Sequence, residues 1–251
     1  MASLELADLT FEEARAMLAQ GAVALLPTGA TEAHGPHLPL STDVVISREA
    51  ARRAARLLRD EGRSALVLPP LAYAVTEYAS EFPGTISLPL ETATALVRDV
   101  ILGAVRTGFR GVVICNAHLE PDNLAALRGG MTAAIEKGAR AVFPDVTRKP
   151  HALRLGDEFK SGACHAGSYE TSLVLASEPA LVKTDRMKAL APNPSSLSRA
   201  IKDGKKTFGE AGGPDAYFGF PADASAKEGA ALYRELADVF ATAARELIGA
   251  P

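Results

Sequence analysis

The amino-acid sequence predicts a three-layer α/β/α domain with a mostly parallel central sheet. Short apolar runs with the length of buried strands alternate with longer stretches whose apolar residues recur at helical spacing. Such alternation favours βαβ units, in which helices cover both faces of one sheet. Because the 251 residues contain no internal repeat and no low-complexity linker, we expect a single domain over residues 1–251.

The predicted strands are apolar runs bounded by glycine or polar residues, and the predicted helices lie between them. Thr10 is expected to cap the first helix, since its hydroxyl can accept a hydrogen bond from the amide of Glu13. The strands cover residues 22–28, 65–68 and 111–116, with a further apolar run at 139–144. The helices cover residues 11–18, 44–58, 91–105 and 120–137.

The C-terminal part contains two predicted helices separated by an irregular segment. One helix opens near Ser168, and the last covers residues 226–247 with an apolar stripe that should pack on the body. Residues 191–225 contain too many glycines and prolines for regular structure. A long irregular segment in a compact domain usually serves function or contacts a partner.

The composition is that of an ordinary globular protein and excludes several classes. Hydrophobic residues make up 47% and charged residues 23% of the chain. A net charge of -3 gives no electrostatic footprint for nucleic acid. No apolar run reaches the roughly 18 residues of a membrane span, and no signal peptide is recognisable. We therefore expect a cytoplasmic protein that binds neither membrane nor nucleic acid.

The two cysteines, Cys115 and Cys164, cannot form a disulfide framework and suit a reducing compartment. Cys164 adjoins His165, so a thiol nucleophile is an alternative. Neighbours on an extended backbone point in opposite directions, however, and a catalytic Cys and His usually come from distant segments.

Candidate metal ligands concentrate where predicted strands end. Residues 29–43 follow the first strand and contain Glu32, His34, His37 and Asp43 among glycines and prolines. His118 and Glu120 follow the strand at 111–116, and His165 and Glu170 lie in a third cluster. Imidazole and carboxylate groups are ligands for Zn²⁺ and Mn²⁺, and a pair of ions needs a bridging carboxylate.

Four motifs resemble the creatininase (creatinine amidohydrolase) family in order and spacing. They are residues 29–39 followed by Asp43, residues 82–85, the Asn116-Ala117-His118 stretch, and residues 165–172. The resemblance implies an α/β/α domain, often in a homohexamer, that hydrolyses a cyclic amide or another carbon-nitrogen bond of a small molecule. It also implies a centre of two divalent metal ions, Zn and/or Mn and possibly Fe.

The same resemblance assigns roles to individual residues. Glu32 and His118 would hold one ion and His34 and Glu120 the other, with Asp43 bridging them. His165 would aid proton transfer, for which a histidine with a pKa near the working pH is suited. Glu170 would be a ligand or an orienting carboxylate, and His37 would support the loop.

The predicted substrate-binding residues are Thr76, Tyr78, Leu119 and Gly167. Gly167 lets the backbone approach the substrate. The chain has no Trp, whereas creatininase proper uses tryptophans around its substrate, which argues against creatinine itself. Creatinine-like rings, formamides on pyrimidines, lactone or sugar-like rings and peptide bonds all stay open.

Other interpretations of the same residues remain. Asp43 taken alone is a helix N-cap, His151 is a surface histidine, and residues 82–85 form either a turn or a substrate-facing loop. The chain could be a catalytically silent subunit that binds a metabolite, although the complete ligand set argues against that function. It could also be a dinuclear phosphoesterase, but no basic cluster near the ligands is evident in the sequence.

Overall fold

A computed structural model describes residues 3–163 and 165–249 and shows a parallel sheet between two layers of helices. Within that part of the chain the sheet has four strands in the order β2-β1-β3-β4. The strands are β1 (Val23–Thr28), β2 (Ala65–Val67), β3 (Val112–Asn116) and β4 (Ala141–Val142). The predicted strands are confirmed, and the predicted three-layer α/β architecture is confirmed with them.

The helices follow the predicted order, with additional short ones in the C-terminal half. The longer helices are α1 (Phe11–Ala19), α2 (Thr42–Asp60), α3 (Leu90–Thr107), α4 (Pro121–Ile135), α6 (Ser168–Ser177) and α9 (Ala226–Ile248). The shorter ones are α5 (Gly156–Ser161), α7 (Thr184–Ala189) and α8 (Leu197–Lys202). Single 3-10 turns cover Leu6–Asp8, His151–Arg154, Pro179–Leu181 and Pro221–Asp223.

Local sequence chemistry explains where α1 begins. The Thr10 hydroxyl accepts a hydrogen bond from the amide of Glu13 at 3.3 Å, and the Glu13 carboxylate accepts one from the Thr10 amide at 2.7 Å. This reciprocal pair satisfies two amides that a helix start leaves without intrahelical partners. The predicted cap is confirmed.

The period-two alternation of β1 divides the core into two layers. Val23 and Leu25 face one side, where they pack with residues of α2, α6 and α9. Ala24 and Leu26 face the other side, where they pack with residues of α3 and α4. Because successive strand side chains point to opposite faces, a strand buried on both sides is apolar at every position. That is why β1 reads as a continuous hydrophobic run.

The carboxyl ends of the two central strands bring distant segments together. In the register of β1 and β3, Thr28 pairs with Asn116, and the Thr28 hydroxyl donates to the Asn116 side-chain oxygen at 2.9 Å. The loop after Thr28 and the loop after Asn116 therefore leave the sheet at the same edge. This is where ligands bind in open α/β sheets.

The segment 191–225 is irregular over most of its length, but the prediction that it lacks regular structure is wrong at α8 and at Pro221–Asp223. An isolated bridge between Asn193 and Gly219 closes the segment at its base. Residues 197–202 contain no glycine or proline, so one short helix can form within a segment that is otherwise rich in helix-breaking residues.

Candidate metal centre

Asp43 lies at the centre of the ligand cluster. It is the second residue of α2 and is buried. Its Oδ1 lies 3.3 Å from His34 Nε2, and its Oδ2 lies 3.1 Å from His118 Nδ1. The amide of Ala30 also donates to Oδ2, at 3.1 Å. One carboxylate thus faces two imidazoles from different loops, which an ordinary N-cap carboxylate does not do.

A close backbone approach permits this placement. A Cβ at Gly29 would lie 2.6 Å from the Cβ of Asp43, a distance that real Cβ atoms do not reach. Glycine at this position therefore lets the loop after β1 pass directly against the first turn of α2.

The ligands form three overlapping candidate metal groups, of which one joins Glu32 with His34 and His165 and the other two lie around His118 and His34. Glu32 lies 3.3 Å from His118 Nδ1 and forms a candidate metal group with His118 and Glu120. Glu170 lies 3.5 Å from His34 Nε2 and forms a group with His34 and Asp43. The resemblance pairs Glu120 with His34, whereas the structure places Glu120 with His118, and Glu170 takes the position beside His34.

Each of these histidines is oriented by a backbone carbonyl. His34 Nδ1 donates to the Glu32 carbonyl at 3.2 Å, and His118 Nε2 donates to the Val75 carbonyl at 2.8 Å. Since a carbonyl only accepts, the other ring nitrogen of each faces the carboxylates, and it offers its lone pair when a cation takes the place of the proton there. Metal-binding histidines are held in this way, with the second nitrogen bonded to a carbonyl or carboxylate.

An orphaned atom supports a metal at this place. His34 Nε2 is buried and has no hydrogen-bond partner, although three carboxylates lie within 3.6 Å of it. Burial lowers the pKa of His34, but Asp43 and Glu170 outweigh burial and raise it to about 10. The carboxylates therefore favour a positive charge at this place. Without a cation a proton on His34 supplies it, and a divalent cation among these oxygen and nitrogen donors would replace that proton.

The carboxylates of Glu120 and Glu170 are shielded from water. Burial raises the pKa of Glu120 to about 7 and that of Glu170 to about 8. Glu120 accepts hydrogen bonds from the amides of Glu77 and Tyr78 at 3.0 and 3.3 Å. Glu170 accepts one from the amide of Ala166 at 2.6 Å. Both side chains are thus oriented towards the cluster, and both bind a proton more readily than an exposed carboxylate when no cation is present.

His165 stands beside the cluster, between two rings. Its ring centroid lies 4.4 Å from that of His34 and 4.2 Å from that of Phe208. Nε2 donates to the Ala33 carbonyl at 3.0 Å, so the Nδ1 lone pair faces Glu32 Oε1, 3.8 Å away. Burial and the nearby His34 lower the pKa of His165 to about 4. We expected a pKa of His165 near the working pH. With its lower pKa the buried ring is instead neutral at that pH, and its Nδ1 lone pair can accept a proton.

The cluster opens into a cavity of about 620 Å³. Glu32, Asp43, Glu120 and Glu170 lie along its wall together with His118 and His165. Leu119, Leu124, Leu197, Ile201 and Phe208 make another part of the wall apolar. Ligand pockets are typically concave and mostly apolar, with a few convergent polar groups. This cavity has that form.

Comparison with known proteins relates this geometry to a family. Residues 7–244 match the family described as creatininase, creatinine amidohydrolase. The chain belongs to the creatininase family.

Two relatives carry different names. One is the mycofactocin precursor peptide peptidase of Mycobacterium ulcerans (strain Agy99), 32% identical over 220 residues, with 85% of this chain and 81% of the relative covered. The other is the creatinine amidohydrolase of Pseudomonas putida, 32% identical over 206 residues, with 74% and 76% covered. The prediction of a hydrolase of carbon-nitrogen bonds is confirmed at the level of the family.

Solved creatininase structures share the fold. One described as "Creatininase Mn" has a TM-score of 0.80 at 28% identity and covers 99% of this chain and 100% of that chain. A creatininase variant described as a Zn-Zn type has a TM-score of 0.76 at 26% identity, with 100% of both chains covered.

Within this creatininase-family fold, two of the four predicted substrate-binding residues lie on the cavity wall. Tyr78 and Leu119 are there. Thr76 instead donates its hydroxyl to the Glu32 carboxylate. At Gly167 an added Cβ would lie 2.5 Å from both Glu158 Oε2 and the Phe218 carbonyl, so the close approach is to protein rather than to the cavity.

Several other predicted positions have structural roles. His37 is buried, and its Nε2 lies 2.9 Å from the Thr171 hydroxyl, so it links the first loop to α6. Residues 82–85 form a turn in which Gly84 has a φ of 90°. His151 begins a 3-10 turn and is half-buried rather than fully exposed. Cys115 is buried in β3, and Cys164 lies outside the described residues.

Sequence reasoning missed two residues that organise the site. Glu158 accepts hydrogen bonds from the amides of Ser168, Tyr169 and Phe220 at 2.9, 2.7 and 2.7 Å. Phe208 covers His165 and comes from the irregular segment. An aromatic residue inside a glycine-rich and lysine-rich loop was the available signal for Phe208. The charged segment around Glu158 gave none.

Proposed function

We propose that this protein is a metal-dependent amidohydrolase with a dinuclear centre that hydrolyses a carbon-nitrogen bond of a small molecule. The observation that carries the proposal is Asp43, whose two oxygens face His34 and His118 separately, each with a further carboxylate close by. Single-metal sites have no need of such a shared carboxylate, whereas paired ions do.

Five side chains and Asp43 would hold the ions. Glu32, His118 and Glu120 form one group, and His34 with Glu170 forms the other, with Asp43 between them. When bound, two divalent cations lower the pKa of a shared water and polarise the scissile carbonyl. Imidazole nitrogens and carboxylate oxygens are ligands that suit Zn²⁺ or Mn²⁺, and Fe²⁺ is a further candidate. The names of the Zn-Zn and Mn creatininase structures support the same choice.

His165 would move the proton that amide hydrolysis requires. As a neutral imidazole with its lone pair facing Glu32, it can accept a proton from the attacking water and return it to the departing nitrogen. The Ala33 carbonyl fixes the tautomer, since Nε2 must donate to it. Phe208 lies against the ring and keeps that side of it away from solvent.

The cavity volume favours a short peptide as a second candidate substrate. A volume of about 620 Å³ corresponds to about 20 water molecules at about 30 Å³ each. A single small ring would leave much of it unfilled. The name of the mycofactocin precursor peptide peptidase supports this candidate.

Metal analysis combined with three reaction panels tests the proposal. The purified protein should contain close to two equivalents of a divalent transition metal by plasma mass spectrometry. It should turn over at least one compound from panels of cyclic amides, formamides and short peptides. Chelation should abolish the reaction, and Zn²⁺ or Mn²⁺ should restore it.

The same experiment separates the competing functions. Metal-free protein, or loaded protein with no turnover on any panel, would favour a silent binding subunit. Release of phosphate from a parallel phosphoester panel would favour a phosphoesterase. The structure makes that panel worthwhile, because three lysines line the cavity although no basic cluster is evident in the sequence.

We also propose that the chain forms a homo-oligomer, as the hexamer expected from the family resemblance would require. Large apolar side chains stay exposed near one loop edge, with Tyr73 at 50%, Ile86 at 48% and Leu90 at 45% exposure. The Ile86 amide donates to the Thr31 carbonyl and the Thr31 hydroxyl to the Ala72 carbonyl, which places these segments side by side. Light scattering after size exclusion measures the subunit number, and a monomer would reject the proposal.

A further inference from the structure

Lysines from three separate elements line the mouth of the cavity. They are Lys149 in the loop after β4, Lys160 in α5 and Lys202 at the end of α8, and all three are exposed. Lys160 forms an ion pair with Asp157 at 2.8 Å. In the described part of the chain, no carboxylate lies within ion-pair distance of Lys149 or Lys202. Two cationic groups at this mouth are therefore available for a ligand.

The acidic residues that line the cavity all belong to the candidate metal groups. Among the described residues that line it, the carboxylates are Glu32, Asp43, Glu120 and Glu170, and each belongs to the candidate metal groups. Two divalent cations would balance these four negative charges. This step rests on the proposed function. The loaded cavity then has a net positive charge, and that charge lies at its mouth.

Apolar side chains line the same cavity as the ligand cluster and the lysines. Leu197 and Ile201 of α8 share this helix with Lys202, while Leu153 lies close to Lys149 in sequence. Such a surface favours a hydrocarbon segment between the two polar ends of a ligand. The volume of about 620 Å³ gives room for a ligand longer than one ring.

We propose that the substrate is an anionic amide: its scissile bond lies at the ligand cluster, an apolar middle packs on α8, and a negative group meets Lys149 and Lys202. The lysines recognise charge at a distance from the bond that breaks, so they determine specificity and take no part in the chemistry. Such exposed pairs are screened by salt, so this selectivity declines as the ionic strength rises.

A series of hydroxamates that differ only at the far end tests the proposal on the metal-loaded protein. Each has a hydroxamate, which chelates divalent cations, and a six-carbon chain that ends in a carboxylate, a primary carboxamide or an ammonium. Calorimetry measures the dissociation constants at low and high salt. We expect the carboxylate compound to bind about fivefold more tightly than the carboxamide, the scale of two partly exposed ion pairs, and the ammonium compound to bind most weakly.

The variant Lys149→Gln/Lys202→Gln should bind the three compounds almost equally while keeping its affinity for the carboxamide. Lys137→Gln is the matched control, because Lys137 lies just beyond the C-terminal end of α4, whereas Pro121 at the other end lines the cavity. That control should keep the full preference.

Equal binding of the three compounds by the unaltered protein would overturn the inference, as would a preference that survives in the double variant. If the protein takes up no metal and binds none of the hydroxamates, the proposed dinuclear centre is wrong, and the inference that rests on it is wrong as well. A protein that binds all three equally and still hydrolyses amides rejects only the anionic substrate.

Discussion

At the scale of single residues, three backbone carbonyls determine what the site can do. Glu32, Val75 and Ala33 each accept a hydrogen bond from one ring nitrogen of His34, His118 and His165, respectively. The second nitrogen of every ring faces the carboxylates. On His34 and His118 the raised pKa keeps a proton there until a cation replaces it, whereas on His165 the lowered pKa leaves a free lone pair. Two of these nitrogens are placed to ligate a cation, and the third is placed to accept a proton.

His118→Ala tests the ligand assignment. Removing one imidazole from the group of Glu32, His118 and Glu120 should leave close to one metal equivalent instead of two, with turnover reduced by about 100-fold or more. Plasma mass spectrometry and steady-state rates measure the two effects. His151→Ala, at a histidine that does not line the cavity, should change neither. Full metal content and full rate in the His118 variant would show that the assignment is wrong.

His165→Ala separates a proton carrier from a ligand. We expect both metal equivalents to remain and turnover to decrease by about 100-fold to 10,000-fold, the range in which general acid-base groups act. Because exogenous imidazole can replace a missing proton carrier, it should restore part of the rate. A variant that loses one metal equivalent would instead place His165 among the ligands.

At the scale of secondary-structure elements, the start of α6 is held by a carboxylate from α5. Ser168 and Tyr169 are the first two residues of α6, and the third is Glu170. Their amides have no intrahelical partners, and Glu158 accepts from both. Because the Glu158 carboxylate also accepts a hydrogen bond from the Phe220 amide, it fixes α6 and the irregular segment 191–225 in one arrangement. Glu158 is a positioning residue for Glu170.

Glu158→Ala is expected to destabilise the protein by about 3 kcal/mol, because three backbone donors lose a charged acceptor. Denaturant unfolding measures this change. The affinity for one metal equivalent should decrease as well, since Glu170 moves with α6. Glu158→Gln keeps one oxygen acceptor and should recover part of both losses. Asp157→Asn, at the neighbouring exposed carboxylate, serves as the control; a Glu158→Ala effect no larger than the control would remove this role.

At the scale of the whole molecule, the parallel sheet gathers the site from segments far apart in sequence. Parallel β1 and β3 end at one edge, so the loops that carry Glu32 and His118 emerge side by side. Helix α2 brings Asp43 back to that edge, and α6 adds Glu170. The core lies on the two faces of the sheet, so the ligands can change without removing the main packing.

The charge of this buried cluster predicts how stability depends on pH in metal-free protein. Between pH 6.5 and 8, folded protein keeps protons on Glu120 and Glu170, whose pKa values are raised to about 7 and 8, and on His34, raised to about 10. The unfolded chain has released these protons, since its carboxyl and imidazole pKa values are about 4.3 and 6.5. The free energy of unfolding should therefore decrease as the pH rises through this window.

Metal binding should depend on pH in the opposite sense. The cations displace the protons of the same groups, so metal affinity should increase from pH 6.5 to 8 and binding should release protons. Chemical denaturation with a chelator present and titration in buffers of different ionisation enthalpy measure the two slopes. Parallel slopes, or no slope in either, would show that the cluster does not hold these protons.

The sequence by itself determined the alternation of strands and helices, the family and the residue types of the site. These depend on local patterns, namely buried runs such as Val23–Thr28, the capping pair of Thr10 and Glu13, and polar clusters directly after strands. The tertiary structure alone decided that Glu120 joins His118, that Glu170 joins His34, and that Gly167 packs on Glu158. It also brought the lysines of three elements to one cavity. The physical reason is that strand register and helix packing fix distances between segments, whereas a sequence pattern reports only what each segment prefers locally.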